Sequence, residues 1–267
     1  MMFWTDFWDV PGQSLGRARA IRSLGSKASS EQVATAAKDY KEVLVLSSRE
    51  DWDTIEEKVE DGAKTNPYAA WEYGMALRRN GQYEEAKAIH SLTSDLFDAI
   101  GDRPRAVISL LDAGIDAACA ESSSGNDSGA KALLKKGVGY TTTAESRDVA
   151  LLQRVVAKEG EARVVLAALE WTDTKDRSLR SDAEKELSTA CERLDQLEQD
   201  ALERGKKKTS APKLVSAVPK LRFNIDDYPG ALETSCARLT KNKEFQSERL
   251  ELPEAVQDKI QKLNQLK

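Results

Sequence analysis

The segment NPYAAWEYGMALRRNGQYEEA, residues 66–86, constrains the fold more tightly than any other stretch. It reads as one helical hairpin with small residues where two packed helices need them. Gly74 precedes Gly81 by seven positions, and Tyr83 and Ala86 follow closely. Gly74 lets two helix backbones approach, and Gly81 can take the positive φ of a helix end. Tyr83 restarts a helix, with Ala86 at a tight contact. Asn66-Pro67 opens the first helix, which runs to about Asn80, and the second runs from Tyr83 to about Ile100.

The rest of the chain is also written for helices. Charged residues make up 32% and aromatics 6%, with Ala, Glu, Leu, Lys and Arg dominant, which predicts a soluble all-α protein. No apolar run reaches the roughly 18 residues of a membrane span. Leu15, Ala18, Ile21 and Leu24 form one stripe of a basic helix carrying Arg17, Arg19 and Arg22. Pro11-Gly12 ends the segment before it. Transit peptides share this basic composition, but an amphipathic helix is the favoured reading. Ser29 and Gln32 form a capping box, and behind it Val33, Ala37, Tyr40 and Leu44 share a helix face. Trp52, Ile55 and Val59 do the same on an acidic helix. Gly101 closes a helix, Asp102 caps the next with Pro104 in its first turn, and Gly114 stands forty residues after Gly74. Further on, Gly160 is expected to break a helix into two partners. Residues 176–204 read as one long helix with Leu179, Ala183, Leu187, Ala190, Leu194, Leu197 and Ala201 on a near-heptad seam. A capping helix and a coiled coil with a second chain both fit that seam.

Ala70, Tyr73, Gly74, Leu77, Gly81, Tyr83 and Ala86 carry a resemblance to the tetratricopeptide repeat (TPR). The match is clear over about one repeat, and the later hairpins are divergent. It implies a TPR-like solenoid of helical hairpins with extended N- and C-terminal tails. In this frame residues 1–28 are an aromatic and basic extension, 29–204 the helical domain, and 205–267 a basic extended linker with C-terminal helices. The first helix of such a repeat lines a peptide groove, whose positions fall here on Tyr68, Trp71, Met75, Arg78 and Arg79. Some relatives clamp a terminal carboxylate with Lys and Asn, where this chain has Trp71 and Met75, so that clamp is not expected. Packing of Trp71 on the helix carrying Trp52 is the alternative to an open groove. The next hairpin puts Ile108, Leu111, Ile115 and Ala118 on the same face, too apolar to stay wet.

Two tails are candidates to dock on partners. Phe3, Trp4, Phe7 and Trp8 crowd large rings into the N-terminus between Asp6 and Asp9. After Gly205 the charge turns basic, with Lys206, Lys207 and Lys208 as a contact run. Pro212 and Pro219 keep that stretch extended, and Leu221, Phe223 and Ile225 alternate as a docking edge. The net charge of −5 and the lack of interleaved aromatics argue against nucleic acid as a partner. His90 is the only histidine, so no catalytic relay assembles, and the expected role for it is packing. Neither a metal site nor a cofactor motif is visible, and no catalytic residue is assigned. Cys119, Cys191 and Cys236 are widely spaced, and read as thiols in a reducing compartment (cytoplasm, stroma or matrix), with a disulfide between two as the alternative. The expected function is a non-catalytic scaffold or linker subunit that bridges other proteins. The TPR resemblance extends this to assembly and linking factors of organellar or photosynthetic membrane complexes. A transient TPR-type adaptor or assembly chaperone is the alternative, and an enzyme with an unrecognised site stands last.

Overall fold

The computed structural model describes residues 10–122, 126–171, 177–208 and 234–265. Every regular element among them is helical, so the chain is all-α. It divides into two compact units, Met1–Gly137 and Val138–Lys267. The first unit contains α1 (Val10–Ser23), α2 (Ser30–Ser47), α3 (Ile55–Thr65), α4 (Pro67–Arg79), α5 (Tyr83–Ala99) and α6 (Arg103–Glu121). Helix α7 (Ser128–Tyr140) carries the boundary. The second unit contains α8 (Val149–Glu170), α9 (Arg177–Lys208), α10 (Cys236–Lys241), one π turn at Phe245–Arg249, and α11 (Glu254–Lys262). Among the described residues no helix is long and apolar enough to cross a membrane.

Local chemistry starts and stops these helices. The Ser29–Gln32 capping box is present at the start of α2, and Thr54 with Glu57 makes a second one at α3. Asn66 accepts the Ala69 N–H to open α4. Helix α4 then ends in a Schellman turn. Gly81 takes φ 77°, its N–H bonds Arg78 O, and the Gln82 N–H bonds Leu77 O. Gly101 (φ 79°) ends α5 in the same way, with bonds to Asp98 O and Phe97 O, and Asp102 caps α6. Between α2 and α3 the Asp61 carboxylate accepts from Arg49 N–H at 2.7 Å and Ser48 Oγ at 3.0 Å. Those bonds, the Arg49 amide first, hold its pKa below the usual carboxylate value.

Helix α1 is tied into the first unit by its own arginines. Arg17 pairs with the buried Asp39 of α2, and Arg19 and Arg22 converge on Glu72 of α4, which is 1% exposed. The basic stretch is therefore an internal helix from Val10 onward. Pro11-Gly12 lies inside its first turn, where the missing N–H of proline has no helical partner to lose.

A glycine marks the crossing in several helix pairs. A Cβ on Gly62 of α3 would fall 1.9 Å from the Leu44 carbonyl of α2. Gly114 of α6 and Gly137 of α7 face Leu134 and Leu111 reciprocally. Gly160 corrects the expected break. It sits inside the continuous helix α8, and Leu194 of α9 occupies the space where its Cβ would be. The roughly 1 kcal/mol helix penalty of glycine is offset here by closer packing of two helices.

In the second unit Ala183, Ala190, Leu194 and Leu197 are buried, and α9 lies along α8. The seam is thus used inside the chain, as the capping-helix reading expects. Arg193 and Arg163 both bond Glu159 at 2.9 Å, and Arg163 also reaches Glu186. Helix α9 continues through Gly205 to Lys208, which corrects the extended reading of Lys206, Lys207 and Lys208. Lysine is a good helix former, and cations suit a helix C-terminus. Helices α10 and α11 close on α8, with Leu239, Val256 and Ile260 each 1% exposed. Buried Gln246 and Gln257 donate to the Leu239 and Leu252 carbonyls.

Cys191 and Cys236 form a disulfide joining α9 to α10, with Cα atoms 4.9 Å apart, and Cys119 is a buried thiol. This corrects the reading of three free cysteines. Sequence spacing could not show it, because the pair meets across 45 positions. In the chain-entropy description such a closure is worth about 4 kcal/mol. We therefore expect reductant, or Cys191→Ser, to lower the melting temperature of the second unit and leave the first unchanged. Intact mass after alkylation without reductant checks the bond, because the bridged pair takes up no label.

Candidate functional site

The sequence-predicted groove positions lie on α4, and most of them point inward. Trp71 is 8% exposed, Met75 5% and Arg78 1%. Arg78 is held between two carboxylates one helical turn apart on α6. Its Nε donates to Asp116 Oδ1 at 2.5 Å, and its Nη2 donates to Asp112 Oδ1 and to the Asp112 carbonyl, both at 2.9 Å. The Trp71 indole donates to Asp112 Oδ2 at 3.2 Å. Like charges four residues apart in a helix repel, and here the guanidinium between them reverses the sign. Burial of an ion pair is tolerated when its polar atoms are bonded, as these carboxylates are.

His90 completes this cluster from α5. Its Nδ1 lies 2.5 Å from Asp116 Oδ2, and the tautomer donating from Nδ1 satisfies that oxygen. Its Nε2 meets Gly74, where an added Cβ would come within 2.5 Å of it. Gly74 therefore makes room for an imidazole rather than for a second backbone. His90, Asp112 and Asp116 are fully buried, so the cluster joins α4, α5 and α6 and offers no surface to a substrate.

This corrects the open-groove expectation for Trp71, Met75 and Arg78. The Asp112 and Asp116 side chains of α6 hold Trp71 and Arg78 inside by hydrogen bonds, and Met75 is buried on the same helix. The two remaining positions lie nearer the surface. The Tyr68 ring meets Phe97 edge-on at 5.2 Å and lies under Arg105, and Arg79 bonds the Gly25 carbonyl. Ile108, Leu111, Ile115 and Ala118 are all buried. Phe3, Trp4, Phe7, Trp8, Leu221, Phe223 and Ile225 lie outside the described residues, and α9 carries Lys206, Lys207 and Lys208 at its end.

The opening that sequence reasoning missed lies on another face of α4. A groove of about 640 Å³ runs between α3 and α5, with Val59, Tyr73, Leu77, Ile89 and Leu92 as its apolar lining. Glu56, Glu60 and Glu85 supply carboxylates, and Lys41 of α2 supplies an ammonium. Tyr73 is 5% exposed. Burial first, then Glu85 and Glu56, push its phenol up to about 12. Burial, then Glu72, also raises Tyr40, which stands in the core behind Glu72, against the pull of Arg22 and Arg19. Among the described residues no group of His, Cys, Asp and Glu has the arrangement to hold a metal ion. No protein-family model, curated protein or solved structure matches the chain.

Two outcomes follow from this geometry. Asp116→Asn leaves the buried guanidinium and imidazole short of a charge, and Arg78→Met leaves two buried carboxylates without their cation. Each is expected to lower stability by about 3–5 kcal/mol in urea denaturation. Glu56→Gln, on the exposed rim, should stay within about 0.5 kcal/mol of the parent.

The second outcome concerns pH. A phenol whose folded pKa is raised stabilises the fold below its unfolded value of about 10, and that contribution is lost as pH rises through the folded value. A spectroscopic titration of the native chain should show phenolate appearing late at Tyr73 and Tyr40, and stability falling from about pH 10 upward. Tyr73→Phe should remove one late component.

Proposed function

We propose that the chain is a non-catalytic protein–protein interaction scaffold, a linker subunit of TPR-like hairpins that joins parts of a larger assembly. One observation carries this reading. The groups with catalytic potential, His90 with Asp116 and Asp112, are closed inside the first unit, while an apolar groove beside them stays open to solvent. The buried ion cluster keeps the helices around that groove in place, which lowers the ordering cost of binding. Other proteins are the expected partners. Subunits of a membrane complex, reached from the aqueous side, are the class suggested by the TPR resemblance.

The preformed groove also suits a transient peptide-binding adaptor or assembly chaperone. The two readings differ in lifetime. Isolation from the native source under mild conditions, with mass measurement of the species that carries the chain, separates them. A stoichiometric assembly that survives dilution is the expected result for a linker. A free species of 29.5 kDa that meets its partner only briefly would favour the adaptor and overturn the linker reading.

A further inference from the structure

The groove between α3 and α5 has a chemical preference that can be read from three observations. Its floor is apolar, formed by side chains of α4 and α5 such as Leu77 and Leu92. Its rim is acidic and incompletely paired. Glu56 makes no ion pair or hydrogen bond with any described residue. Glu85 accepts only the Gln82 side-chain amide at 3.1 Å, and Glu60 is held by Lys64 at 3.2 Å. The third observation is Tyr73. It is 5% exposed and lines the groove, and its hydroxyl bonds no described residue.

We infer that this groove binds an apolar segment of a partner protein that carries a lysine or arginine, the cation seating at Glu56 and Glu85 with the Tyr73 hydroxyl as an additional acceptor. The apolar floor supplies affinity by excluding water, and the carboxylates select sign and orientation. Lys41 is outnumbered by the three carboxylates of the lining, so an acidic segment meets net repulsion and a purely apolar one leaves Glu56 unpaired. The site differs from the face on which the repeat pattern places its peptide, because that face of α4 is occupied by α6. The inference rests on the scaffold reading and names the chemistry that the scaffold recognises.

The test uses the full chain and a fluorescein-labelled amphipathic peptide of leucine and lysine, with its leucine–glutamate twin as control. Polarisation titration should show saturable binding of the lysine peptide, weakening with salt, and no saturable binding of the glutamate twin. Glu56→Lys with Glu85→Lys should weaken the lysine peptide at least about tenfold, the scale of a lost charge-assisted contact. Both positions are exposed, so circular dichroism and melting should be unchanged. If that double variant misfolds, Glu56→Gln with Glu85→Gln and the single Tyr73→Phe carry the same test, each with a several-fold loss expected. Equal binding of the two peptides, or unchanged affinity in the variants, would overturn the inference. So would a large gain in affinity on deleting residues 219–225, which would assign the groove to the chain's own basic segment. A native assembly that the double variant still joins at full strength removes this groove assignment alone. A wild-type chain isolated only as a free monomer removes the scaffold reading instead.

Discussion

The Arg78 guanidinium between Asp112 and Asp116 is the interaction around which the first unit is organised. It is 1% exposed, and both carboxylates are fully buried. A charge so far from water persists only when its polar contacts are met, and this requirement fixes how α4 and α6 face each other. His90 then brings α5 to the same point through Asp116, and Gly74 is small because the imidazole lies against it. An apolar core of leucines and alanines could slide by a fraction of a turn at little cost. A cluster that must satisfy several directional bonds at once cannot.

That fixed geometry decides which face of α4 is available. Trp71 and Arg78 turn toward α6, and Met75 between them is buried. Tyr73 and Leu77, on a different side of the same helix, look out between α3 and α5. The buried ion cluster and the open groove therefore lie on two faces of one helix. On the N-terminal side, Arg19 and Arg22 meet the buried Glu72, so α1 is held by the same kind of paired charge. The second unit uses paired charges too, with Glu159 bridging Arg163 and Arg193 between α8 and α9. It adds a covalent link between α9 and α10.

Much of the helix punctuation was legible because it is local. Gly81, Gly101, Asp102 and the Ser29–Gln32 box act within a few residues, so their roles follow from neighbours in the chain. Gly160 was misread because a glycine inside a helix and a glycine at a break look alike until the partner helix is known. At Lys206–Lys208 the charge changes sign but the backbone does not, and α9 runs on to Lys208. Asp112 and Asp116 do leave a signal in the sequence. Two acids one turn apart within the apolar run ISLLDAGIDAA have few reasons to be there unless a cation is brought to them.

The candidate groove was not legible at all. Its lining comes from four helices, α2 to α5, and no single stretch of sequence carries its pattern. The amino-acid sequence by itself determined that the chain is all-α, where most helices begin and end, and which residues seek burial, because helix propensity, caps and periodicity act over a few residues. The tertiary structure alone decided that Trp71 and Arg78 turn inward, that His90 meets Asp116, that Cys191 meets Cys236, and that an acidic groove stays open. Those outcomes depend on pairings across 26 to 45 positions, where partner choice rests on three-dimensional packing and on the cost of burying an unpaired charge.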